Sequence, residues 1–160
     1  VIMAARQAAD IYEGKHVEVI PSKTVAQGIT ALFNFNPQAT LEDNIESMTE
    51  SLSTVKTAEI TYAIRDSEIN GRTIHKDDFM GIGDGDILAV GKDMYNTTLE
   101  TVLAMTDDDP ELITIYPGEE ADEELTERLS AELEEKRGDE IDIEVIPGGQ
   151  PVYYYIISVE

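Results

Sequence analysis

The sequence predicts an α/β domain in which an N-terminal helix-strand-helix layer accompanies a C-terminal antiparallel or mixed sheet covered by helices. Three observations predict it. Apolar residues recur at helical spacing over 25–33, 41–55 and 119–136. Period-two alternation marks 58–65 and 141–145 as strands. Two tight-turn signatures, Asn70-Gly71 and Gly83-Asp84-Gly85-Asp86, join short apolar runs, as antiparallel neighbours require.

Residues 1–12 read as an Ala-rich helix ended near Gly14, and because the chain opens inside that helix without Met, it is expected to be a piece of something longer. Val17, Val19 and Ile20 form a short apolar run that Pro21 stops, the expected strand of the N-terminal layer. Thr24 with Gln27 is a capping box, and Val25, Ile29, Leu32 and Phe33 then share one helix face up to Asn36-Pro37. Thr40 with Asp43 caps a second helix whose stripe of Leu41, Ile45, Met48, Leu52 and Val55 is expected in the core. The strand over Ala58–Arg65 is followed by the two turn signatures and a meander through Phe79–Ile82 and Ile87–Val90.

Beyond Gly91 the period becomes helical, with Tyr95, Leu99, Val102 and Leu103 on one face until Asp107-Asp108-Asp109-Pro110 breaks it. Leu112–Tyr116 is a strand. The next helix, 119–136, turns Ala121, Leu125, Leu129 and Leu133 inward and pairs Glu124 with Arg128 and Glu132 with Lys136 outside. Val152–Val159 is apolar on both faces, which marks a central strand. Subdomains of 1–78 and 79–160 are expected within one C-terminal fragment, residues 1–160.

The 160 residues match the size of a single domain, lack cysteine, and contain no apolar run long enough to span a bilayer. Cysteine-free composition agrees with a reducing compartment, so a cytoplasmic location is expected. The charge is lopsided: 12 acidic and 7 basic residues lie in 1–80, 22 acidic and 4 basic in 81–160. A net charge of −23 opposes nucleic acid as a partner. It fits either plain solubility or a face steering toward a basic partner.

Motifs for catalysis are mostly lacking. Gly91-Lys92 has no glycine at the P-loop spacing and is followed by Asp93, and Gly81-Ile82-Gly83 lacks the third dinucleotide glycine. His16 and His75 stand apart, so no metal site is expected, and a phosphocarrier role for either is the third reading. Four elements remain as site candidates. Ser22-Lys23-Thr24 fits an anion at a helix N-terminus or an ordinary cap with a surface lysine. Arg65-Asp66 fits a site at a strand end or a solvated end. Gly148-Gly149-Gln150 permits close approach of a ligand or a plain turn. Tyr153 to Tyr155 must split its hydroxyls between two faces, leaving a polar tip such as that of Tyr153 for binding.

Val-Ile-Pro-Ser-Lys-Thr-Val-Ala-Gln-Gly-Ile at 19–29, Ile-Thr-Tyr-Ala-Ile-Arg-Asp-Ser-Glu-Ile-Asn-Gly at 60–71, Asp-Phe-Met-Gly-Ile at 78–82 and the closing Gly-Gly-Gln-Pro-Val-Tyr-Tyr-Tyr-Ile-Ile-Ser-Val-Glu carry a resemblance. Over essentially the whole chain they resemble the C-terminal domain of the bacterial fatty acid kinase catalytic subunit, of the dihydroxyacetone-kinase-like, YloV-type family. In that family an N-terminal domain carries ATP and magnesium, and the C-terminal domain docks a separate fatty-acid-binding subunit. Residues 79–160 are also similar to the C-terminal half of DegV-type fatty-acid-binding proteins. Those proteins bring a His-Thr-Gly-Pro-Gly turn to the fatty acid carboxylate, where this chain has Gly148-Gly149-Gln150-Pro151.

The resemblance implies a DegV-like fold and a non-catalytic docking module that presents a fatty-acid-loaded DegV-type partner to a kinase domain for acyl-phosphate formation. No cofactor is expected in this fragment; ATP and magnesium belong to the absent kinase domain. The alternative is a domain that holds a fatty acid or small anion itself. Glu119, Glu120, Glu123 and Glu127 are the expected acidic docking residues, and the parent's other domains the expected further contacts.

Overall fold

The computed structural model describes residues 1–106, 110–138 and 141–160, so the expected break at 107–109 lies outside the described residues. The chain divides into two compact units, Val1–Val55 and Lys56–Glu160. The expected boundary at 78/79 thus moves to 55/56. The reason is β1 (Lys56–Tyr62), which lies between β4 (Phe79–Gly83) and β8 (Tyr155–Val159) and is hydrogen-bonded to both.

The first unit is helical: α1 (Ile2–Ile11), α2 (Val25–Phe33) and α3 (Leu41–Glu50), with a 3₁₀ turn over Ser51–Thr54. The expected strand at 17–20 does not form. Val17 is exposed and the segment joins no ladder, so its β-branched residues lack the neighbour that would make extended backbone a strand. Both N-cap residues place helix starts as expected, with the full reciprocal box at the second. Thr24 Oγ1 accepts from the Gln27 amide at 3.2 Å, and Thr40 with Asp43 closes the reciprocal pair.

The stripe that defines α2 faces outward. Val25, Leu32 and Phe33 are 70%, 67% and 85% exposed, while Ala26, Thr30 and Ala31 are buried. Small side chains let α2 pack closely, and the large ones are left outside. In the α3 stripe, Leu41 is exposed, Ile45, Met48 and Leu52 are half-buried and only Val55 is fully buried.

The second unit is a six-stranded mixed sheet in the order β5-β4-β1-β8-β6-β7, with β5 Asp86–Gly91, β6 Leu112–Pro117 and β7 Asp142–Val145. All neighbours are antiparallel except β6 and β7. A separate hairpin, β2 (Ser67–Ile69) and β3 (Arg72–Ile74), turns at Asn70-Gly71, both with positive φ. The sheet core is built from Ile60, Ile113, Ile115, Tyr155 and Ile157, all buried. Helices α4 (Met94–Met105) and α5 (Glu123–Arg137) close it with Tyr95, Leu99, Val102, Leu129 and Leu133. Gly81 allows the close approach of α4, since a Cβ there would run into the Thr101 side chain. β8 is central, as its two apolar faces predict.

Outside the core, Lys136 pairs with Glu132 at 3.6 Å. The expected Glu124–Arg128 pair is not among the ion pairs of the described residues; Arg128 lies 4.1 Å over the ring of Tyr95 instead.

Candidate functional site

β6, α5 and β7 form a strand-helix-strand unit with parallel strands, and the carboxyl ends of such strands open toward the helix that joins them. Here that end is a groove of about 670 Å³. Pro117, Gly118, Val145 and Pro147 form its strand side, and Thr126 and Ala131 its helix side. Glu123, Glu127 and Glu134 line it from α5. They recur at i, i+4 and i+11, one face of the helix. Asp122 caps that helix, its carboxylate accepting from the Leu125 amide at 2.9 Å.

The 148–150 loop is folded against the end of β6. The Gly148 and Gly149 amides donate to the Pro117 carbonyl at 3.1 and 2.9 Å, and the Gln150 side-chain amide donates to the Tyr116 carbonyl at 2.8 Å. The Glu119 amide donates back to the Gln150 carbonyl at 3.1 Å. Gly118 must be glycine in this arrangement, because a Cβ would run into the Tyr153 and Gln150 carbonyls. The Gly148 and Gly149 amides and one N–H of the Gln150 side chain are therefore engaged within the chain.

Of the residues singled out in the sequence, Gly149, Glu123 and Glu127 meet at the groove. Gly148 and Gln150 hold the loop beside it. Glu119 and Glu120 are exposed outside the lining. Tyr153 turns elsewhere: the Glu59 carboxylate, first by its charge, raises its phenol above the ordinary 10.0. Ser22, Lys23 and Thr24 sit in the first unit, where Thr24 caps α2 and the Lys23 amide donates to Gln27 Oε1 at 2.9 Å. Arg65 and Asp66 belong to the second unit. Asp66 accepts from the Lys76 amide at 2.6 Å and so fastens a loop.

Pro117, Gly118, Val145 and Glu134 are groove residues that sequence reasoning missed. Their signal was present only in part: α5 shows no second apolar stripe, because its groove-side residues besides the glutamates are Thr126, which borders the Leu stripe, and Ala131. A second depression, among Arg72, Asp78, Leu88, Lys92 and Glu100, holds the buried Asp78 carboxylate paired with Lys92. Asp78 also accepts from the His75 amide at 2.7 Å. Among the described residues, no group of three His, Cys, Asp or Glu side chains is arranged to hold a metal ion, and no helix is long and apolar enough to cross a membrane.

The sequence matches the family of C-terminal domains of FakA-like fatty acid kinase proteins over residues 1–160. It is 41% identical over 160 residues to Uncharacterized protein SAR1202 of Staphylococcus aureus (strain MRSA252), covering all of this chain and 29% of that protein. Uncharacterized protein SAB1090 of Staphylococcus aureus (strain bovine RF122 / ET3-1) is 40% identical with the same coverage. The chain thus spans under a third of the length of these curated relatives. In fold it is similar to the crystal structure of DegV Family Protein Cg2579 from Corynebacterium glutamicum, with a TM-score of 0.63 at 16% identity, covering 99% of this chain and 69% of that one. At that identity the likeness concerns the fold alone, which is DegV-like as the sequence led us to expect. The chain belongs to the family of FakA-like fatty acid kinase C-terminal domains.

Proposed function

We propose that this chain is the docking domain of a fatty acid kinase: a non-catalytic module that receives a fatty-acid-loaded DegV-type protein and presents it to an ATP-binding domain elsewhere in the longer protein. There the fatty acid carboxylate would attack the terminal phosphorus of ATP, forming an acyl phosphate and releasing ADP. ATP and magnesium belong to that other domain, and an ATP-consuming assembly of this kind works in the cytoplasm.

The observation that supports this reading best is the closed 148–150 loop on a DegV-like fold. Both glycine amides and one N–H of the Gln150 side chain are engaged by Pro117 and Tyr116, so the loop offers a fatty acid headgroup neither backbone amide of its glycine pair. Burying a carboxylate without donors or a cation costs several kcal/mol. An anionic headgroup entering the groove would also face Glu123, Glu127 and Glu134. A fold that has the shape of a fatty-acid carrier but closes its own headgroup loop suits a partner for such a carrier.

Co-purification of this chain with a DegV-type fatty-acid-binding protein tests the reading, combined with mass spectrometry of lipid extracted from the chain alone. A complex with the carrier and no stoichiometric lipid in the isolated chain is expected. Stoichiometric fatty acid together with no complex would overturn it in favour of a domain that binds lipid itself.

A further inference from the structure

Resting on the docking reading, we infer that the groove between α5 and the carboxyl ends of β6 and β7 is the contact surface, and that it receives a basic amphipathic helix of the partner protein.

The groove combines an apolar floor with a rim of one sign. Pro117, Val145, Pro147 and Ala131 offer no hydrogen-bonding side chain, while Glu123, Glu127 and Glu134 are exposed on its helix side. Helix α5 has three cations, and each is used away from the groove. Arg128 lies over Tyr95, Lys136 pairs with Glu132, and Arg137 donates to the Thr106 carbonyl at 2.9 Å. None of the three rim carboxylates has a cation partner among the described residues.

Helix stability does not account for the rim. Glu123, in the first turn, is favoured by the helix dipole. Glu127 stands four residues from it with the same charge, a destabilising spacing. Glu134 lies in the last turn, where the dipole favours cations. A partner that brings cations to this face relieves both costs and covers the apolar floor.

Spacing selects the kind of partner. From Glu123 to Glu134 the rim runs about 16 Å, or roughly three helical turns. A helix lying along α5, with Lys or Arg at matching intervals and apolar side chains between them, meets both rim and floor. Helix-in-groove recognition of this kind draws its energy from the apolar anchors and its register from the charges.

The test uses ¹⁵N-labelled protein and a synthetic Leu/Lys amphipathic helix of about 14 residues, some 21 Å long. Saturable shifts are expected at the amides of Gly118, Ala131, Val145 and Gly149. In the triple variant Glu123→Gln, Glu127→Gln, Glu134→Gln, Kd should rise about tenfold, as three partly screened ion pairs imply. The charge-matched variant Glu68→Gln, Asp84→Asn, Glu100→Gln, exposed residues on the β4–β5 side of the same unit, should leave Kd within about twofold. Non-saturating shifts spread over the acidic surface, or equal losses in the two variants, would overturn the inference.

A competition arm then adds a DegV-type fatty-acid-binding protein. Displacement of the peptide supports the assignment. Binding of that protein without displacement overturns the groove as the contact surface and leaves the docking reading intact. If that protein does not bind at all, the docking reading falls, and with it the groove's role as that partner's seat.

Discussion

Tyr155 and Thr126 join the central strand to α5 through their hydroxyls, 3.0 Å apart inside the core directly behind the groove. Thr126 Oγ1 already donates to the Asp122 carbonyl at 2.7 Å, so Tyr155 is the donor of the shared bond. Burial raises the Tyr155 phenol above its ordinary value, which keeps it a donor at any physiological pH. Tyr155→Phe should therefore cost about 1 kcal/mol, the net worth of one hydrogen bond, with the ring packing kept. Urea midpoints at unchanged m-value measure it, and a variant as stable as the parent would show that the bond contributes nothing.

Core and surface apolar residues should respond very differently to truncation. Leu129 is 1% exposed against Phe33 at 85%. Leu129→Ala should cost about 2–5 kcal/mol through lost burial and the cavity left behind. Phe33→Ser should stay within about 0.5 kcal/mol of the parent. Thermal or urea unfolding of the two variants checks the contrast. A large loss at Phe33 would mean that the α2 stripe is covered in solution.

That stripe also marks where sequence reasoning ran out. Spacing alone placed α2, but it could not decide whether the large residues or Ala26, Thr30 and Ala31 face inward, because both sets repeat at the helical period. The sheet was more readable. Ile60, Ile113, Ile115 and Ile157 alternate in strands that each pair on both sides, so local pattern and global pairing agree. Val17–Ile20 has the same local chemistry and no ladder, which only the tertiary arrangement reveals. At the site, the acid of α5 was readable. What was not is its partition, since Glu132 accepts a hydrogen bond from Tyr95 while Glu127 and Glu134 turn to a groove completed by Gly118 and Val145 from distant segments.

Asp78 should control part of the acid response. Its carboxylate lies beside Lys92, whose hydrogen bond, followed by that of the His75 amide, holds its pKa below the ordinary 3.8. A depressed folded-state value means that the contribution is full above the unfolded pKa of about 3.9 and is lost as pH falls through the folded value. Protonation of the many exposed carboxylates acts in the opposite sense by relieving repulsion. The comparison must therefore be between variants. Asp78→Asn should be less stable than the parent at pH 7, and the gap should narrow below about pH 4. Urea midpoints between pH 7 and pH 3 read this directly, and a gap constant across that range would rule out the carboxylate as its source.

Association kinetics should separate the acidic residues that line the groove from those beside it. Glu119 and Glu120 are exposed outside the lining, and Glu123 and Glu127 are on it. All four contribute to the field that an approaching basic partner meets, and that field is screened over about 8 Å at physiological ionic strength. Only the second pair would touch the docked partner. Charge reversal of Glu119 and Glu120 should slow association severalfold and leave dissociation nearly unchanged, as added salt should. Charge reversal of Glu123 and Glu127 should slow association to a similar degree and also speed dissociation, because a like charge then remains at the contact. Surface plasmon resonance with a DegV-type fatty-acid-binding protein resolves the two rates. If both pairs alter association alone, the acidic surface only steers and the contact lies elsewhere; if neither pair nor salt alters it, docking is not electrostatic from this half of the chain.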